Sequence, residues 1–282
     1  MRHFQDGGSK AYVPDMGIQY PDNPFQRMLK VEVENSEDGK YRFDETFPYL
    51  DNSFNYKINN ILGFIFQWTI AVCWNRLHYG LRISGQRKLH VFRQSLKNGA
   101  MCICNHVYQF DALSVNQAVC PFRKMRIPMY AKHFNGSKRW FMRYVGGVPI
   151  PETTSGFRKF NEAFDEFHRR RNWMLVFPES VRWDWYRPIR PFFKGGFSMA
   201  YKYGIPIIPV VITYRKRRGV YRLFGKKELP CVNIQVGEPL FVDKSLPKAA
   251  ETERLLKLTH QCMVRMAGIV DNPWPAQAEA VV

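Results

Sequence analysis

From about residue 98 onward, short apolar runs alternate with stretches of helical character, and this alternation constrains the 282-residue chain more than any other feature. The segments 100–104, 126–130, 173–177, 205–214 and 231–236 read as strands. Between them, 111–119 reads as a helix, and a clearer one follows Thr153, Thr154 and Ser155, whose hydroxyls suit an N-cap. In that second helix Phe157, Phe160, Phe164 and Phe167 share one face, and Arg169, Arg170 and Arg171 sit at its negative end. A third helix, 196–203, is stopped by Gly204, and a C-terminal one runs over 247–270 with Pro247 at its start. Strands joined through helices must be covered on both faces. The expectation is therefore an α/β fold, a mostly parallel sheet flanked by helices.

The part before residue 98 differs. Residues 1–53 are polar, with scattered Pro, Gly, Asp and Asn, and are expected to form an irregular N-terminal arm. Residues 54–85 are expected to form a membrane-associating helical segment, and 86–282 the α/β domain. No charge falls between Lys57 and Arg76, and the densest apolar stretch, 61–74, has 14 residues. A spanning helix wants ~20, so this run suits a helix lying in the bilayer surface or one buried in a core. Asn60, Gly63 and Gln67 make a narrow polar stripe at helical spacing, with Phe64, Phe66, Trp68 and Trp74 around the rest. The aromatic content favours an N-terminal segment that docks on the membrane. Mean hydropathy of −0.36 argues against a polytopic membrane protein.

The net charge of +18 implies anionic partners: nucleic acid, acidic head groups or phosphorylated substrates. Residues 1–50 carry a net −3, so the body carries +21. No nucleic-acid-binding motif appears, and no nucleic-acid partner is expected. The basic run 215–218, with Arg222, is either a solvated face or a contact for anionic lipid or for the phosphates of a soluble substrate. The six cysteines lie mostly in apolar runs, and the N-terminus shows no signal-peptide pattern. They are expected to be reduced, buried and cytosolic. Cys102, Cys104 and His106 would share one face of a strand with neighbours ~7 Å apart. Tetrahedral zinc wants sulfurs about 4 Å apart, so no metal site is expected.

Four motifs carry chemistry. Asn105-His106-Val107-Tyr108-Gln109-Phe110-Asp111 follows the first apolar run. On a regular helix, positions five apart point ~140° away from each other, whereas at a strand-to-helix junction the two side chains can meet. A carboxylate there would fix the imidazole tautomer and leave Nε2 free to accept a proton. Phe177-Pro178-Glu179-Ser180-Val181-Arg182 ends another run, and its Glu and Arg could grip a phosphorylated substrate or form a surface ion pair. Pro191-Phe192-Phe193-Lys194-Gly195-Gly196-Phe197 opens a helix whose N-terminus favours anions. Ile205-Pro206-Ile207-Ile208-Pro209-Val210 is the fourth.

In this order, over roughly residues 80–240, these blocks resemble the glycerolipid acyltransferase family that includes the 1-acyl-glycerol-3-phosphate acyltransferases. The resemblance implies that His106 deprotonates a lysophospholipid hydroxyl as it attacks an acyl thioester, acyl-CoA or acyl carrier protein, and that Asp111 orients His106. It implies that Glu179 holds the glycerol end of the acceptor. Arg182 and Lys132 would bind its phosphate, and Asn105, Lys194 and Gly195 would join the substrate site. It also implies no metal or redox cofactor, lysophosphatidic acid as the leading acceptor, and a monotopic or peripheral place on the cytoplasmic face of a membrane. The chain departs from the pattern at Ser180 and Val181, where the family has Gly and Thr. It departs again at Glu152, where many members have an Arg that can hold phosphate; a phosphodiester acceptor suits that change better. Trp183-Asp184-Trp185-Tyr186 is unusually aromatic and either anchors among head groups or caps the core. Two other classes compete. Gly196-Phe197-Ser198-Met199-Ala200 approximates a serine-hydrolase elbow but lacks a strand directly before it. A non-catalytic anionic-lipid-binding protein would leave the His-Asp and Glu-Arg blocks idle.

Overall fold

The computed structural model describes residues 12–28, 42–121, 125–134 and 139–277. Among these, seven strands form one sheet: β1 (Arg82–Ser84), β2 (Met101–Cys104), β3 (Met125–Met129), β4 (Gly147–Pro149), β5 (Trp173–Val176), β6 (Ile207–Arg215) and β7 (Cys231–Val236). Their order is β1-β7-β6-β2-β5-β3-β4, and every neighbouring pair is parallel except β6 with β7. The helices are α1 (Phe54–Phe66), α2 (Val72–His78), α3 (Lys88–Val91), α4 (Asp111–Val119), α5 (Arg139–Tyr144), α6 (Thr154–Arg169), α7 (Gly195–Tyr203) and α8 (Lys248–Met266).

Successive side chains of a strand point to opposite faces, and central β2 shows both faces buried. Met101 and Ile103 enter one core with Phe160 and Phe164 of α6, Phe197 of α7 and Leu255 of α8. Cys102 and Cys104 enter the other, with Val115 and Ala118 of α4. The aromatic stripe of α6 behaves as its spacing predicts: Phe160, Phe164 and Phe167 are buried, Phe157 lies at the edge, and the Thr153 hydroxyl accepts from Gly156 N at 3.1 Å. Gly204, at φ +62°, ends α7 in the left-handed conformation that glycine adopts without strain.

Two strands have no counterpart in the expectations above. β1 lies inside the segment assigned to membrane-associating helix, yet it pairs with β7, so the sheet begins before residue 86. β4 holds only Gly147, Val148 and Pro149, too short for a periodic signal. It starts from Gly146 at φ +108°, where a Cβ would overlap the Met125 carbonyl oxygen. The arm is irregular where described, as expected, but it is also part of the core, since Phe43, Phe47 and Tyr49 are buried against α6. The cysteines are free thiols. Cys102, Cys104, Cys120 and Cys231 are buried, whereas Cys73 is exposed, because it lies on the outer face of α2.

The helical rod α1–α2 is turned inside out. Its polar stripe faces the domain: Asn60 Nδ2 donates to the Tyr144 carbonyl at 2.7 Å, Gln67 Nε2 to Asn116 Oδ1 at 2.9 Å, and Asn75 Nδ2 to Ser114 Oγ at 2.7 Å. On a regular α-helix, Asn75 would stand ~80° from Gln67. The π-helical turn Gln67–Ala71 absorbs about one residue and brings Asn75 back onto the inward line. Ile61 is left 57% exposed and Ile65 51%, with Leu62, Trp74 and Leu77 also facing out. No helix among the described residues is long and apolar enough to cross a membrane.

Candidate active site

Because β2, β3, β5 and β6 are parallel, their carboxyl ends collect on one edge, the edge at which open α/β sheets bind ligands. His106 follows β2 by two residues, and Asp111 is the first residue of α4. The tight turn between them brings His106 Nδ1 and Asp111 Oδ2 to 2.5 Å. Asp111 is held by Ala112 N, which donates to its Oδ1 at 2.7 Å, and it stands in the first helical turn, where peptide dipoles favour negative charge. Its side chain is 4% exposed, against 23% for His106. One ring nitrogen is thus occupied from inside while the imidazole still reaches the surface. The ring stacks on Phe177 at 4.4 Å and 21°.

The backbone of His106 is fixed with equal care. His106 N donates to Glu179 Oε2 at 2.9 Å, and the His106 carbonyl accepts from Trp183 N at 3.0 Å. Arg190 completes the shell of Glu179: its N donates to Oε1 and its Nη2 to Oε2, both at 2.9 Å, with both side chains fully buried. This corrects the reading of Glu179 as a glycerol ligand, because a carboxylate with no exposed surface and occupied oxygens cannot hold an acceptor. It fixes the backbone of the loop after β2 instead. Asn105 is corrected in the same way. It is fully buried, Ile212 N donates to its Oδ1 at 2.8 Å, and its Nδ2 donates to the Ile212 carbonyl at 3.1 Å. Asn105 therefore extends the β2–β6 ladder by one side chain and delivers His106 to the edge.

Arg182 and Lys132 both lie at this edge. Lys132 is exposed on the 3₁₀ turn Ala131–Phe134 that follows β3. Arg182 is already engaged in an ion pair with Asp184 at 2.8 Å. Burial pushes the Asp184 carboxyl above its ordinary range, against the pull of Arg182. Lys194 and Gly195 open α7. Gly196 packs on Val176 and Ile103, so its missing Cβ lets the helix approach the sheet. Lys194 and Gly195 are exposed. Ser198 sits inside α7 with its N bonded to the Lys194 carbonyl, not on a strand-to-helix elbow.

The sequence did not reveal Arg190, since nothing marks an Arg eleven residues beyond a Glu as its buried partner. Nor did it settle the aromatic run, which caps the core: Trp183 is fully buried, and its Nε1 donates to the Gln26 carbonyl at 2.8 Å. Ser180 adopts φ +66°, which explains why glycine suits that position in the pattern. Cys102 and Cys104 have thiols pushed up by burial, and no cluster of three potential metal ligands occurs among the described residues.

The short bond from Asp111 makes one outcome specific. Asp111→Asn retains the shape but replaces an ionic acceptor with an amide that can present its NH₂ to Nδ1 and favour the wrong tautomer. We expect kcat to fall by roughly 10²–10⁴ with the denaturation midpoint little changed, measured by steady-state kinetics and urea unfolding.

Residues 80–213 match the family model described as Acyltransferase, a stretch that runs from β1 into β6 and includes both loops just described. No curated protein matches the chain in sequence. Among solved structures, the crystal structure of the 1-acyl-sn-glycerophosphate (LPA) acyltransferase PlsC from Thermotoga maritima is similar, with a TM-score of 0.51 and 17% identity, over 77% of this chain and 84% of that one. That likeness concerns the fold, and it agrees with the mostly parallel sheet flanked by helices. Sequence pattern, sheet and family match converge on an enzyme of the acyltransferase type, with residues 80–213 as the part that is similar to the family model.

Proposed function

We propose that the chain moves an acyl group from an acyl thioester to the free hydroxyl of a lysophospholipid, with lysophosphatidic acid as the leading acceptor, at a membrane surface. The observation that carries this reading is the His106–Asp111 pair: Nδ1 is taken by a buried carboxylate and the ring reaches the surface at the carboxyl edge of the sheet. Nε2 takes the proton of the acceptor hydroxyl, and the oxygen attacks the thioester carbonyl carbon. As the tetrahedral adduct collapses, the carbon–sulfur bond breaks and the leaving thiolate recovers the proton from the imidazolium. The products are an ester and a free thiol. Asp111 stabilises the imidazolium between these steps. The thioester supplies the activation, so this chemistry calls for no added cofactor.

The membrane reading rests on the outward face of α1–α2 and on the β6–β7 connection beside it. In that loop Leu223 is 81% exposed, with Val220 and Phe224 also out, between exposed Lys216, Arg218, Arg222, Lys226 and Lys227. Arg217 is buried and pins the loop to α2, donating to the His78, Tyr221 and Leu229 carbonyls. Of the two readings of the basic run, Arg217 is thus structural and its neighbours fit anionic lipid. Burial of each half-exposed Ile or Leu in lipid contributes on the order of 1 kcal/mol. Each basic side chain near an anionic surface adds about 1 kcal/mol. The cytoplasmic face of a membrane, as monotopic or peripheral protein, is the location this reading assigns.

Two experiments follow. In the first, purified protein is given lysophosphatidic acid and other lysophospholipids with acyl-CoA or acyl carrier protein donors, and products are identified by mass. We expect an acylated lysophospholipid, and a loss of about 10²–10⁴ in rate for His106→Ala with the fold retained; robust turnover in that variant would place the base elsewhere. In the second, the intact chain is floated on anionic vesicles at low and high salt beside a variant with Ile61, Leu62 and Ile65 changed to Ser. High salt should release the intact chain only in part, because salt screens charge and not apolar burial, and the variant should be released fully. Complete release of both by salt would reduce the outward face to a passive surface.

A further inference from the structure

The arm crosses the catalytic edge. Three hydrogen bonds tie residues 20–26 to the segment that carries Arg182 and Arg190. The Tyr20 hydroxyl donates to the Asp184 carbonyl at 2.8 Å, Trp183 Nε1 donates to the Gln26 carbonyl at 2.8 Å, and Arg190 Nη1 donates to the Pro24 carbonyl at 2.9 Å. Ring packing adds to them, with Tyr20 stacked on Trp183 at 5.7 Å and Phe25 tilted against Phe193 at 4.6 Å. The next residue is Arg27. Its guanidinium carbon lies 4.2 Å from the ring centre of Tyr130, at the end of β3, and the same ring meets His133 edge-on at 6.2 Å.

Arg27 is thus carried from outside the acyltransferase domain to the place where the acceptor's anionic end would lie. Arg182 is paired with Asp184, which offsets its charge, and Glu152 is exposed where a phosphate-binding Arg would add to the site. A phosphomonoester carries close to two negative charges, so Arg182 in its ion pair and Lys132 leave part of that charge without a partner. Stacking on Tyr130 leaves the in-plane N–H groups of Arg27 free to donate, the geometry in which a guanidinium grips a phosphate. Desolvation lowers the His133 imidazole below its ordinary range, and the nearby charges of Arg27 and Arg182 lower it further.

We infer that Arg27 of the N-terminal arm, with Arg182 and Lys132, forms the phosphate-binding subsite of the acceptor, and that the arm completes the active site rather than decorating it. The inference rests on the proposed use of a lysophospholipid acceptor. It assigns Arg27 to substrate binding and the contacts of Tyr20, Pro24 and Gln26 to positioning it.

The test compares the intact chain with Arg27→Ala and Arg27→Lys, using short-chain soluble lysophosphatidic acid and the matching phosphate-free monoacylglycerol. Acceptor binding is read by calorimetry, and acyl transfer by kinetics. Because Arg27 is exposed, the fold should survive, and the unfolding midpoint checks this. We expect Arg27→Ala to weaken binding and raise the KM for lysophosphatidic acid about 10- to 100-fold, with kcat changed a few-fold at most. Arg27→Lys should restore part of the loss, and the phosphate-free acceptor should not distinguish the three proteins. Unchanged affinity for lysophosphatidic acid in Arg27→Ala would overturn the subsite, and so would an equal loss with the phosphate-free acceptor, which would make the role structural. If the intact chain binds lysophosphatidic acid in an Arg27-dependent way but never acylates it, the subsite stands and the acyl-transfer reading falls. If it binds no phosphate-bearing acceptor, the subsite falls.

Discussion

Burying a carboxylate costs several kcal/mol unless each oxygen finds a donor. Glu179 has no exposed surface, and it meets this requirement with the backbone of His106 on one side and both the backbone and guanidinium of Arg190 on the other. The consequence is geometric. The loop after β2 and the loop after β5 are clamped to a single carboxylate, and His106 cannot move without breaking a buried charge-assisted bond. Arg190 extends the clamp to Val181 and to Pro24 of the arm. The His106 loop, the Arg182 loop and the arm thus share one anchor, which is why a residue read from its motif as a substrate ligand is better understood as the support of the site.

The same logic of satisfied polar groups accounts for the N-terminal helices. Asn60, Gln67 and Asn75 spend their side-chain NH₂ groups on α4 and on the last residue of α5, so the domain holds this rod by polar contacts and leaves its apolar side unused. In water an exposed row of Ile, Leu and Trp is unfavourable, and a lipid surface would remove that cost. The basic β6–β7 loop, fixed to α2 through Arg217, stands on the same flank.

Much of the fold was legible because β2, β5 and most of β6 are continuous apolar runs, β7 alternates, and α6 starts and α7 ends where Thr153 and Gly204 say they must. β1 and β4 were not, because three residues carry no period and Gly147 and Pro149 are poor strand formers. The pairing of His106 with Asp111 was legible from spacing at a strand end. The burial of Asn105 and Glu179 was not, because their partners, Ile212 and Arg190, are set by the sheet order and by a loop with no regular pattern. The period of α1 marked a polar and an apolar side but could not say which one faces the domain. Residues 12–28 showed no period at all, and the value of Arg27 appears only once Tyr20 and Gln26 are seen bonded to the Asp184 and Trp183 region.

The claim that Glu179 positions His106 and does not touch the acceptor separates most directly in the kinetics of Glu179→Gln. An amide there would turn an NH₂ toward a backbone N–H or the Arg190 guanidinium, and breaking a buried pair costs about 3–5 kcal/mol of stability. Glu179→Gln should lower the unfolding midpoint and kcat, with acceptor KM held within a few-fold in the fraction that is folded. A selective rise in acceptor KM with kcat and stability unchanged would contradict it and return Glu179 to the substrate.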